Sequence, residues 1–295
     1  MKKLIYSFTA LVILCWVSQS HAQLNLYSFQ QFGSSYSEIT GGTLVGSATA
    51  TTGNGASLDD TIFTSQPLPF TFNFNGVDFN TYTISSNGFI TFGAVNPAAN
   101  LFTPISSNTG YDGAISILGR DIQGVFATNG SRASGSPVIS NVSNFNGVVA
   151  GKAITGNGIP AGTTVVSFDN SAGTVTMSAN ATSSSGNFTF TVASGEIRTE
   201  SFGPIGMRLL VIQFKNFRKF NALNDNFNFQ INLFENFETP NQIVFSYGNF
   251  VCNNTNSSAQ VGLRGLNNTQ FNSRSGSNWA ASVNAVSNNS TMTLV

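Results

Sequence analysis

Apolar and polar residues alternate with a period of two along most of the chain, and no stretch beyond residue 22 keeps a sustained 3.6-residue apolar period. Side chains of a strand point alternately to opposite faces, so this pattern predicts strands that bury one side. The segment Pro67–Gly93, "PLPFTFNFNGVDFNTYTISSNGFITFG", carries the pattern together with two Asn-Gly pairs. A two-residue turn at Asn75-Gly76 sets Phe74 opposite Val77 and Phe72 opposite Phe79, which keeps every apolar residue on one face. At Asn87-Gly88 the same turn would split the apolar set. A three-residue loop, Ser86-Asn87-Gly88, pairs Ile84 with Ile90 instead and is the predicted form. The apolar phase shifts between Phe79 and Tyr82, which predicts a bulge near Asn80-Thr81.

Further strands are predicted over Gly42–Ala48, Ala114–Val125, Leu209–Lys215, Phe227–Phe234, Gln242–Tyr247, Val261–Leu266 and Thr291–Val295. Phe227, Phe229, Ile231 and Leu233 share one face of their strand, and Asn228, Gln230 and Asn232 the other. Between the two aromatic-rich blocks, residues 131–194 change texture. They hold only Arg132, Lys152 and Asp169 as charges, and short runs such as "AITGNGIPAGTTVVSF" and "GNFTFTV" separated by Gly, Asn and Pro turns. The expected organisation is an all-β, antiparallel β-sandwich (jelly-roll-like) host, residues 23–130 and 195–295, with a small β module inserted at 131–194. Thr291–Val295 reads as the last strand, and a missing terminal strand beside it would leave an open sheet edge near Val295 for a neighbouring chain to fill by strand addition.

The first 22 residues read as a secretory signal peptide. Lys2 and Lys3 form a positive start, Leu4–Val17 an apolar stretch, and Ser20-His21-Ala22 a small-x-small cleavage site before Gln23. The residues around Cys15 do not suit a lipid-modification site, and the apolar stretch is short for a membrane span. Cleavage removes His21, the only histidine, and leaves Cys252 as the one thiol, so no internal disulfide forms. Catalysis through a Ser-His-Asp or Cys-His arrangement, and zinc sites built on imidazole, are excluded with them.

Charge narrows the functions further. Only 8% of residues are charged, and cleavage leaves 10 basic against 12 acidic side chains, a net of −2. No basic face exists to neutralise phosphates, which argues against nucleic acid. Few charges also give little protection against self-association. Other copies of the chain, or cell-surface glycans and proteins, are therefore the expected partners.

The host pattern, "LPFTFNFNGVDFNTYTISSNGFITFG", then "ISILGRDIQG", "RLLVIQFKNF", "NFNFQINLFE", "NQIVFSYG" and "AQVGLRG", resembles a β-sandwich domain of secreted surface proteins of Bacteroidota-type bacteria, often substrates of type IX secretion. It is also similar to the extracellular nidogen-type domain, and residues 138–192 resemble Gly-rich modules of phage-tail-like and bacterial surface proteins. The resemblance implies a secreted, non-catalytic module for adhesion or structural assembly. Where relatives tend to carry a Trp-Asp-Asp-like segment, this chain has Gly119-Arg120-Asp121-Ile122.

Candidate chemistry is sparse. Asp59 and Asp60 offer a calcium site if Asp112 or Asp121 joins them, since Ca²⁺ takes six to eight oxygens. No Asp-x-Asp-x-Asp-Gly loop is present, so a solvated turn is the simpler reading. "FKNFRKF", Phe214–Phe220, reads as a hairpin loop whose Phe217, Arg218 and Lys219 offer contacts to a sugar, and Trp279 is a further stacking candidate; the plainer reading is a solvated loop whose aromatics turn inward and a core tryptophan. The sugar contacts support the alternative of a carbohydrate-binding module. A glycan hydrolase would need two facing carboxylates; Asp121, Glu196, Glu200, Asp225, Glu235 and Glu238 are available, and no pair stands out by spacing.

Overall fold

The computed structural model describes residue 24 and residues 27–33, 36–235, 242–253, 259–274 and 290–294. The leader and Trp279 lie outside the described residues. In the first part of the chain run β1 (Phe29–Gly33), β2 (Thr43–Ser47), β3 (Ile62–Phe74), β4 (Val77–Ser85), β5 (Phe89–Phe92), β6 (Gly113–Gly119) and β7 (Ile122–Gln123). The middle holds β8 (Phe126–Arg132), β9 (Val138–Ser140), β10 (Ile154–Gly156), β11 (Val165–Asp169), β12 (Thr174–Met177) and β13 (Ser185–Val192). Then come β14 (Glu196–Phe202), β15 (Leu209–Lys219), β16 (Asn226–Phe234), β17 (Ile243–Val251), β18 (Gln260–Arg264), β19 (Phe271–Ser273) and β20 (Ser290–Leu294).

Among the described residues all pairings are antiparallel, in three sheets. One has the order β1-β20-β17-β16-β15-β14-β2, with β7 added to the end of β15; a second runs β19-β18-β6-β5-β4-β3. These two form the sandwich around one core, which holds Phe72, Phe74 and Phe92 of one sheet and Phe214, Phe229 and Ile231 of the other. The Tyr247 hydroxyl crosses that core from β17 to donate to the Ile117 carbonyl on β6, 2.8 Å away. The third sheet, β10-β13-β8-β9-β12-β11, has its own cluster, including Phe126, Ile139, Val175 and Phe190.

Both hairpins follow the predicted registers. Phe74 pairs with Val77 and Phe72 with Phe79 around Asn75 (φ 52°) and Gly76 (φ 79°), and Ile84 pairs with Ile90 across the three-residue loop. The ladder is irregular opposite Asn80, but the extra residues are on β3, where Pro67 pairs with Thr81 and the next partners are Phe72 and Phe79. Proline lacks the N–H a ladder needs, so Pro67 and Pro69 let β3 bow outward there.

Three expectations change. Ala114–Val125 is two strands broken at Arg120-Asp121, where the Asn87 carbonyl accepts from Arg120 N (3.3 Å) and its Oδ1 from Ile122 N (3.2 Å). "FKNFRKF" is the end of β15, with a bulge at Lys215-Asn216 (Asn216 φ 57°), rather than a hairpin loop. β20 lies between β1 and β17, so the C-terminal run is not that sheet's edge. The polar face of β16 is also buried. Gln213 Nε2 donates to the Ile39 carbonyl (2.9 Å) and Gln230 Nε2 to that of Ser37 (2.7 Å), so the segment after β1 covers an amide ladder whose groups are paired.

Candidate functional site

Asp59 and Asp60 end a tightly wound loop between β2 and β3. Gly53, Gly55, Leu58 and Asp60 all have positive φ, at 89°, 81°, 52° and 48°. The loop closes through Ser57 N to the Gly53 carbonyl (3.0 Å) and Gly55 N to the Asp59 carbonyl (2.9 Å), while the Leu58 side chain anchors it in the sandwich core. Asp121 arrives from the break between β6 and β7. Carboxylate oxygens of Asp59, Asp60 and Asp121 lie within 4.8 Å of one another. Asp112 is not among them; it sits beside Gly93 at the start of β6.

Asn87, from the predicted three-residue loop, ties the cluster together. Its Nδ2 donates to Asp60 Oδ1 (3.3 Å) and to the Leu101 carbonyl (3.2 Å), while its other groups hold the β6–β7 break. Asn54 Nδ2 donates to Asp60 Oδ2 at 3.2 Å. Asp59 is only 7% exposed, and its Oδ1 has no hydrogen-bond partner among the described residues. Burial, then the charges of Asp60 and Asp121, push the Asp59 carboxyl up to about 6. Burial and Asp60 also raise Asp121, against the opposing pull of Arg120 and Lys219.

The other sequence candidates are dispersed. Phe217 is fully buried between Phe214 and Phe229, so it is a core residue and not a sugar platform; the bulge at Asn216 turns it inward. Arg218 is also buried; its Nη1 donates to the Ala222 carbonyl (3.0 Å), and burial lowers its pKa to about 10. Lys219 is half-buried near Asp121. Among the carboxylates weighed for hydrolysis, Glu196 is ion-paired to Lys152 (3.3 Å) and Arg198 (3.1 Å), and Glu235 to Arg208 (2.6 Å). Asp225 is buried and accepts from Asn253 N at 2.7 Å, and Glu238 is outside the described residues.

Two features had no clear signal in the sequence. On the third sheet, Ser131, Arg132, Ser136, Asn141 and Ser184 line an open depression of about 700 Å³. Arg132 is mostly buried there, 4.3 Å over the Phe188 ring, with Nε and Nη2 held by Ser183 (both 2.9 Å). At the β14–β15 turn, Ile205 is 87% exposed, beside exposed Met207 and Phe202. Only the unusual setting of Arg132 in a nearly uncharged stretch hinted at the first.

No helix among the described residues is long and apolar enough to cross a membrane. No curated protein and no solved structure matches the chain. A family model described as NIDO related matches residues 26–136 and 165–294, both blocks of the sandwich and β8, β11, β12 and β13 of the third sheet. Such domains are typically extracellular. With most of its length inside that match, the chain belongs to the NIDO-related family.

Proposed function

We propose that the protein is a secreted, non-catalytic cell-surface module that serves adhesion or structural assembly. The observation that carries this reading is the apolar hairpin at an open sheet edge. β2 pairs with β14 only over Glu196–Thr199, so Glu200, Ser201 and Phe202 have no outer partner strand among the described residues. Phe202, Ile205 and Met207 stand exposed at that end. Unpaired backbone flanked by apolar side chains is a template for strand addition by another chain. The low charge of the surface does little to oppose it.

The depression around Arg132 favours a second reading, capture of a polysaccharide. Its hydroxyl and amide lining suits sugar hydroxyls, and the guanidinium suits an acidic sugar. Light scattering and electron microscopy of residues 23–295 separate the two. Assembly predicts concentration-dependent oligomers or filaments that the Ile205→Lys, Met207→Lys double variant abolishes. A monomer at every concentration that binds acidic glycans on an array, and loses them in Arg132→Gln, would replace the first reading with the second.

A further inference from the structure

We propose that Asp59, Asp60 and Asp121 together bind a calcium ion, which pins the Gly53–Thr61 loop to the β6–β7 break at the root of the third sheet. The donor set is all hard oxygen. Two oxygens held at about 2.3–2.6 Å from one Ca²⁺ lie no more than about 5 Å apart, and the three carboxylates fall within 4.8 Å. Water would complete the six to eight positions such an ion takes.

The state of Asp59 points independently to a cation. A carboxylate buried to this degree, with an oxygen that no donor of the described residues reaches, is costly unless a positive charge meets it. Arg120 and Lys219 pull on Asp121 from the side of the β6–β7 break. Asn87 and Asn54 meanwhile hold the two Asp60 oxygens in place without supplying charge. Three like charges are thus held close together by the surrounding backbone and amides.

The location gives the ion a consequence. Ser57 of the loop accepts from Gly124 N (2.8 Å), Gly124 accepts from Gly195 N (2.7 Å), and Gly195 accepts from Ala48 N (2.9 Å). This chain of hydrogen bonds links the loop to the two passages that lead into and out of the third sheet. A cation that tightens the loop therefore stiffens the joint between sheet and sandwich.

The test uses residues 23–295 stripped with EDTA, titrated with CaCl₂ and followed by calorimetry and thermal unfolding, with MgCl₂ as a control. One equivalent of Ca²⁺ should bind, and the unfolding equilibrium constant should fall about tenfold at a concentration about ten times Kd. Asp59→Asn and Asp121→Asn should each remove that response. Relief of repulsion should leave both variants at least as stable as the parent in EDTA, so folded variants are available for comparison. The proposal is overturned if the parent shows neither heat nor a shifted midpoint at about 10 mM calcium, above the millimolar range of extracellular sites. A calcium response unchanged in both variants would overturn it equally. The assembly reading rests on a different edge of the molecule and stands or falls separately.

Discussion

Arg208 and Glu235 show how much a single residue can organise at the exposed hairpin. Glu235 Oε2 accepts from Gly206 N (2.9 Å), Arg208 N (3.0 Å) and Arg208 Nε (2.8 Å), and Oε1 accepts from Arg208 Nη2 (2.6 Å). The Arg208 hydrogen bond leads the effects that hold the carboxyl down at about 2, below the 4.5 of a free glutamate. A carboxyl lowered by folding stabilises the native state in its ionised form. Its contribution is whole above pH 4.5 and fades as pH falls toward 2. Glu235→Gln should therefore lower the urea midpoint at pH 7, and the gap to the parent should close between pH 4.5 and 2. An equal gap at pH 3 and pH 7 would show that the clamp holds through shape rather than charge. Because the clamp encloses the turn bearing Ile205 and Met207, the same variant tests whether a fixed hairpin is needed for assembly.

Elements were legible where their geometry is local. The two Asn-Gly hairpins could be registered from the chain because turn chemistry and a period of two act over a few residues. Gly88 shows the cost of altering one. It has φ 79°, and a Cβ there would lie 2.5 Å from the Leu118 carbonyl oxygen. Gly135 has the same φ with open space around it. Gly135→Ala should cost only the left-handed backbone penalty, about 1–2 kcal/mol. Gly88→Ala should cost more, because backbone rather than a flexible side chain must give way; chemical denaturation of the two variants measures the difference, and equal losses would count against the crowding. The segment Phe214–Phe220 was misread for the opposite reason. Phe214 and Phe217 would face opposite sides of a regular strand, and only the bulge at Asn216 brings both into the core. That bulge is held from afar, by Asn228 Oδ1 accepting from Asn216 N (3.0 Å) and Ser194 O from its Nδ2 (3.3 Å). The acidic cluster was half legible. Its acids were visible in the sequence, but the choice of Asp121 over Asp112 depends on where Asn87 breaks the β6–β7 run.

For the whole molecule, the question is whether the third sheet is a passenger on the sandwich or part of it. The two chain passages touch at Gly124 and Gly195, so closely that a Cβ on Gly195 would lie 2.2 Å from the Gly124 Cα. The first rung beyond them is Phe126 opposite Val192. Outside this neck Ala153 packs against the sandwich core, and several further contacts are polar. Lys152 Nζ reaches Ser47 Oγ (2.9 Å) and Glu196 (3.3 Å), the Thr51 and Thr155 hydroxyls are 2.6 Å apart, and Asn224 N donates to the Ala127 carbonyl (2.8 Å). A partly exposed ion pair contributes up to about 1 kcal/mol, and each hydrogen bond about 0.5–1.5 kcal/mol. Two separate cores joined this lightly should behave as two folding units. Replacing Phe126–Val192 by Asn-Gly should leave a sandwich that folds, with slow amide exchange in β15–β17 and a stability loss of a few kcal/mol at most. Loss of that protection would mean that the sandwich depends on the sheet it carries. Retention would make the third sheet a platform mounted on a joint, and would place the control of its orientation at the acidic loop beside Gly124.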